Sequence, residues 1–196
     1  MLPVSKSLTV AVNQKGASAG RNLVGGDMVT YNFAPPGIVS SNTIVRLSDR
    51  LKKEVELSEE IKSTVENLKY YYTRHAPDGI DGVEAKLEKA GRQDELYMAL
   101  TRKEQFAKLL EKWSLYASAQ EIIAYLLAKV ETGFTLLVQP HIGQLDDAGI
   151  NKIVLEQIIV PTVEECECDV IPLNNGLVLG MVYWLAEQCF VRWHKL

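Results

Sequence analysis

The stretch LNNGLVLGMVYWLAEQCFVRWHKL, residues Leu173 to Leu196, holds two of the three tryptophans, one of the three cysteines and a single acid, Glu187. With Asn174 or Asn175 as its N-cap, Val178, Met181, Val182, Leu185 and Cys189 recur at the spacing of one helical face. That pattern predicts a core helix. Gly180 lies inside it, where glycine costs about 1 kcal/mol relative to alanine. Its expected use is to let another helix approach closely.

Working back along the chain, Thr101-Arg-Lys-Glu104 and Ser118-Ala-Gln-Glu121 both have the form of a capping box, although Thr101 could be interior to a helix starting near Gln93. Phe106, Leu109, Leu110 and Trp113 form one apolar stripe. Ala119, Ile122, Ile123, Leu126, Leu127 and Val130 form a second. The two stripes predict paired helices joined around Ser114 to Ala117 and ended by Gly133. Phe134 to Val138 reads as helix or strand. Ile150, Ile153, Val154 and Ile158 mark a further helix, stopped at Pro161.

Earlier still, Leu47, Leu51 and Val55, then Ile61, Val65, Leu68 and Tyr72, trace a seam that Glu54 and Ser58 interrupt. Either one long helix carries a polar notch, or Ser58 caps a second helix. The tip from Tyr70 to Gly82, with Pro77 and Gly79, ends it.

Residues 1–40 differ in kind, with five of the thirteen glycines, three of the seven prolines and no glutamate. Gly20-Arg-Asn-Leu-Val24 is echoed by Gly25-Gly-Asp-Met-Val29, the pattern of short β rungs between tight turns. Two rungs cannot bury a core. Leu23, Val24, Met28 and Val29 are therefore either part of a tether or surfaces that order against a partner or another copy. The expected organisation is a Gly/Pro-rich arm (1–40) and a mostly α domain (41–196), a bundle of about five to six helices.

Composition bounds the function. At 196 residues, 47% hydrophobic and 23% charged, the chain can bury a core without disulfide or metal support. No apolar run reaches the ~18 residues of a membrane span, and the N-terminal residues lack the apolar core of a secretory signal, so the cytoplasm is the expected location. Three cysteines argue for reduced thiols. A net charge of −4 argues against direct nucleic-acid binding. The glycines after Gly20 lack the Lys and Ser/Thr of a phosphate loop.

Two clusters could carry chemistry. His75, Asp78 and Asp81, beside Arg74, could serve a metal-dependent or acid–base site acting on nucleic acid or nucleotide, yet Asp-Gly pairs are also ordinary turn chemistry. Cys166, Cys168, Cys189 and His194 have the donors zinc needs, in an uncommon spacing. Cys189 equally suits a buried apolar role. The composition favours no catalytic residue, metal or cofactor.

Lys86-Leu-Glu-Lys-Ala-Gly-Arg92, Ala99-Leu-Thr-Arg-Lys-Glu-Gln-Phe106, Ser118-Ala-Gln-Glu-Ile122, Gly180-Met-Val-Tyr-Trp-Leu185 and Cys189-Phe-Val-Arg-Trp193 together resemble the C-terminal domains of bacterial ABC three-component conflict systems of the Lamassu-like kind. The likeness spans about residues 45–195. Where that family often has Asn-Cys-His, this chain has Gln188-Cys189-Phe190. The resemblance implies a noncatalytic adaptor that docks an SMC/ABC-type ATPase and an effector nuclease, reaches DNA only through the complex and contacts no membrane. Trp184, Arg192 and Trp193 are then the expected interface anchors, Trp113 the expected core ring, and the arm a means of self-association, with a standalone homo-oligomeric regulator as the alternative to the adaptor.

Overall fold

The computed structural model describes residues 42–195 apart from 62, 74, 75, 77 and 167–169. These residues fold as helices, with no β-strand among them. The chain divides into two units, Met1–Ala34 and Pro35–Leu196, and every described residue belongs to the second. Leu23, Val24, Met28 and Val29 lie outside the described residues.

Helix α8 (Asn175–Glu187) is the centre of the packing, as its composition requires. The Asn174 side chain caps it by accepting from the Leu177 N–H at 3.0 Å. Val178, Met181, Val182, Tyr183, Trp184, Leu185 and Ala186 are all buried, so the helix is enclosed beyond a single face. Its main partner is α4 (Leu96–Trp113). A Cβ at Gly180 would collide with the Arg102 carbonyl oxygen and stand 3.0 Å from Phe106 Cβ. The glycine is thus where the two backbones meet.

After Glu187 the chain turns through Cys189, whose φ of 68° is left-handed. The Cys189 N–H donates to the Ala186 carbonyl and the Phe190 N–H to that of Leu185, a Schellman closure with cysteine where glycine is usual. Cys189 is buried, but in the cap rather than on the helical stripe.

Helix α5 (Ala117–Gly133) packs chiefly on α1 (Asn42–Glu56), and all six residues of its expected stripe are buried. Ser118 does not cap it. Glu54 of α1 reaches across instead, its two carboxylate oxygens accepting from the Ser118 N–H at 3.0 Å and the Ser118 hydroxyl at 2.8 Å. The polar notch in the seam is therefore a cap supplied from another helix. The buried face of α1 runs Ile44, Ser48, Leu51 and Glu54, whereas Val55 is exposed. Beyond α1 the chain reverses at Ser58, whose φ is 53°, and a short α2 (Glu66–Lys69) runs into a 3₁₀ turn, Tyr70–Tyr72. Thr101 is interior to α4, its hydroxyl donating to the Tyr97 carbonyl.

Two expected stops do not stop. Gly133 has helical angles, and α5 continues as a π-helical turn, Phe134–Val138. Helix α6 (Asp147–Ile153) likewise runs through a π-helical turn, Val154–Ile159, into α7 (Val160–Glu165), with Pro161 in its first turn. The helix is continuous there, so the proline takes one donor out of the ladder directly after the π turn. A Cβ on Gly133 would sit 3.4 Å from Ile158, so the two π segments are in contact.

Candidate functional site

Of the residues expected to carry chemistry, Asp78, Asp81, Cys189 and His194 meet where the tip loop receives the segment after α8. Helix α3 (Gly82–Lys89) and α8 close each other's ends: the Val83 N–H donates to Glu187 Oε2 at 3.1 Å, and buried Lys86 donates through Nζ to the Ala186 carbonyl. A carboxylate at one N-terminus and an ammonium at one C-terminus each complement the helix dipole. Lys103 adds an ion pair to Glu187 Oε2 at 3.5 Å.

Asp78 sits beside this junction. Its Oδ1 accepts from the Ile80 N–H at 3.1 Å, while Oδ2 meets His194 Nε2 at 3.0 Å and Arg192 Nε at 3.2 Å. Burial raises the Asp78 pKa, but the Ile80 N–H, the His194 ring and the Arg192 guanidinium outweigh it and hold the carboxyl below its ordinary value. An ionised Asp78 only accepts, which places the His194 proton on Nε2. Asp81 Oδ1 accepts from Cys189 Sγ at 3.2 Å. Asp78, Asp81, Cys189, Arg192 and His194 thus form one seam that fastens the C-terminal segment to the tip.

His75, Arg74 and Cys168 lie outside the described residues. Cys166 is buried at the end of α7. Among the described residues, no three His, Cys, Asp or Glu side chains gather as a metal ion would need.

The aromatic anchors are corrected by their burial. Trp184 is 5% exposed and packs edge-on to Phe106 and Tyr72, with ring centroids 5.7 and 5.9 Å away. Trp193 is 2% exposed, set against Phe134 and stacked on Tyr183. Neither ring offers surface to a partner, because both close the core around α8. Trp113 is buried, as its stripe predicts. Arg192 is mostly covered and spent on Asp78.

Sequence reasoning missed a second polar assembly. Arg92, 3% exposed, lies 4.6 Å over the Trp193 ring, donates to Glu95 Oε1 at 2.6 Å and bonds the Asn151 side-chain oxygen. The Tyr183 hydroxyl donates to Glu95 Oε2 at 3.3 Å, and burial, then the Glu95 charge, raise its pKa. Arg92 joins α6, the start of α4 and the C-terminal segment. Its sequence signals were its place at the end of the Lys86–Arg92 motif and after Gly91, whose φ of 74° ends α3.

The surface shows what is left over. Tyr97 is 85% exposed on the first turn of α4, flanked by partly exposed Met98 and Leu100. No described helix is long and apolar enough to cross a membrane.

Residues 82–193, more than half of the chain, match the family described as C-terminal domain 9 of the ABC-three component (ABC-3C) systems. The matched segment begins with α3 and ends at Trp193, so it takes in the α3–α8 junction, the Arg92 assembly and the exposed start of α4. No curated protein and no solved structure matches the chain.

Proposed function

The chain belongs to the C-terminal domain 9 family of the ABC-three component systems, a membership that implies partner subunits, and we propose that it acts as a noncatalytic adaptor within such a system. In this reading it docks an SMC/ABC-type ATPase and an effector nuclease of a Lamassu-like assembly in the cytoplasm, and reaches DNA only through them. The observation that supports contact rather than turnover is Tyr97. A large aromatic standing 85% exposed beside Met98 and Leu100, inside the family segment, is the composition of an interface anchor. The acidic residues of the tip, by contrast, hold the fold together, Asp78 through His194 and Arg192 and Asp81 through Cys189.

Alanine at Asp78 and Asp81, with assembly followed alongside defence activity, tests the reading. Activity lost while the ATPase and effector still co-purify with a folded variant would favour an enzyme instead. Activity that tracks assembly and stability supports the adaptor.

A further inference from the structure

A cavity of about 570 Å³ opens between α1, the α2 turn and α5. Leu47 and the rings of Tyr70, Tyr71 and Tyr125 make its walls, and Glu66 and Glu121 supply carboxylates; no lysine or arginine lines it. The Tyr71 hydroxyl donates to Glu131 Oε2 at 3.1 Å, and that of Tyr125 to Glu165 Oε1 at 2.6 Å. Each hydroxyl spends its proton on a carboxylate, which enriches the ring and leaves the phenol oxygen as an acceptor. Two further acids therefore stand behind the tyrosines.

The cations already nearby leave the acids room to accept. Arg50 Nη1 is 3.7 Å from Glu121 Oε2, and Lys69 Nζ is 2.8 Å from Glu66 Oε2, but a carboxylate has about four lone-pair sites. An anionic ligand would meet Glu66 and Glu121 with no lysine or arginine on the lining, while Glu165, behind Tyr125, is already paired with Lys129. A neutral apolar one would desolvate the half-covered Glu121 with no return. A flexible apolar stem ending in a planar cation satisfies both walls and acids, through ring-face attraction and paired hydrogen bonds. We infer that this cavity binds an arginine side chain presented by a partner polypeptide. The inference goes beyond the adaptor reading and stands on the cavity alone, so the purified chain suffices to test it.

The probes are the blocked tripeptide acetyl-Gly-Arg-Gly-amide and its citrulline counterpart, which keeps the shape and removes the charge. Tyrosine ring resonances of the isotope-labelled chain report occupancy. The arginine peptide should shift Tyr70, Tyr71 and Tyr125 saturably, more weakly at high salt, and the citrulline peptide should not. The double variant Glu66→Gln/Glu121→Gln should bind about fivefold more weakly or worse, and its thermal melt verifies folding. Leu47→Trp, which fills the cavity while keeping the acids, provides a second variant and should abolish the shifts. Absence of saturable shifts in the native chain, equal binding of both peptides, or undiminished binding by the folded variants would each overturn the inference.

Discussion

The carboxylate of Glu54 closes the N-terminus of the helix that carries Ser118, accepting from both its backbone N–H and its hydroxyl. The pair is separated by 64 residues and buried, and it ties α1 to α5 at the point where four backbone donors lack helical partners. Glu54→Ala leaves the Ser118 N–H and hydroxyl without that acceptor in a dry site. A loss of about 2–3 kcal/mol is expected in urea unfolding, against a smaller loss for Glu54→Gln, which keeps one acceptor.

Gly180 sets the distance between α4 and α8. Gly180→Ala drives a methyl into the Arg102 backbone carbonyl, which cannot move without its helix, so a loss of about 3 kcal/mol or outright misfolding is expected. Gly91→Ala is the control. Nothing lies within 4 Å of its Cβ position, and only the left-handed φ of 74° resists, at about 1 kcal/mol. Comparing the two melting curves separates packing from backbone strain.

The pH dependence has two parts of opposite sign. Asp78 has a folded pKa below its ordinary 3.8, so its contribution is complete above that value and is lost as pH falls through the lower, folded pKa. Asp78→Asn should remove that acid-sensitive component from a stability profile. Glu131 has a folded pKa raised above 4.5 by burial, with the Tyr71 hydrogen bond opposing. Its ionisation therefore costs stability as pH rises through the ordinary value. Glu131→Gln should be at least as stable as the native chain at pH 7, and lose that advantage below about pH 4.

Arg92 is held by a ring and by polar groups from two elements. Arg92→Lys cannot keep the flat stack on Trp193 together with the bonds to Glu95 and Asn151. A loss of about 3 kcal/mol is expected. Tryptophan emission should shift to the red as water reaches Trp193.

Periodicity read the fold well wherever burial alone decides it. The six-residue stripe of α5 and the face of α8 are core, and Gly180 is the contact point its position suggested. It failed where one helix answers another. Ser118 resembles a local cap, but the cap arrives from α1; Asp78 and Asp81 resemble an active site, but their partners arrive from more than a hundred residues downstream. Gly133 and Pro161 were misread as stops because π turns, which depend on tertiary packing, carry the helix through them. Trp184 lies off the apolar stripe yet is buried, since α8 is buried at every position from Gly180 to Ala186 and has no solvent face there for a pattern to reveal.

Tyr97→Asp places a charge where the adaptor reading puts a partner. The side chain is exposed, so fold stability should stay within about 0.5 kcal/mol. Affinity for the partner should fall at least about tenfold, measured by calorimetry with the isolated ATPase and effector in turn.

Contact as the chain's work is tested most directly by sedimentation of the purified chain mixed with the ATPase and effector of its own system, with DNA cleavage followed in the same fractions. The account predicts one species containing all three polypeptides, and no cleavage by this chain alone. A chain that sediments unassociated, or that cleaves DNA without the effector, would contradict it.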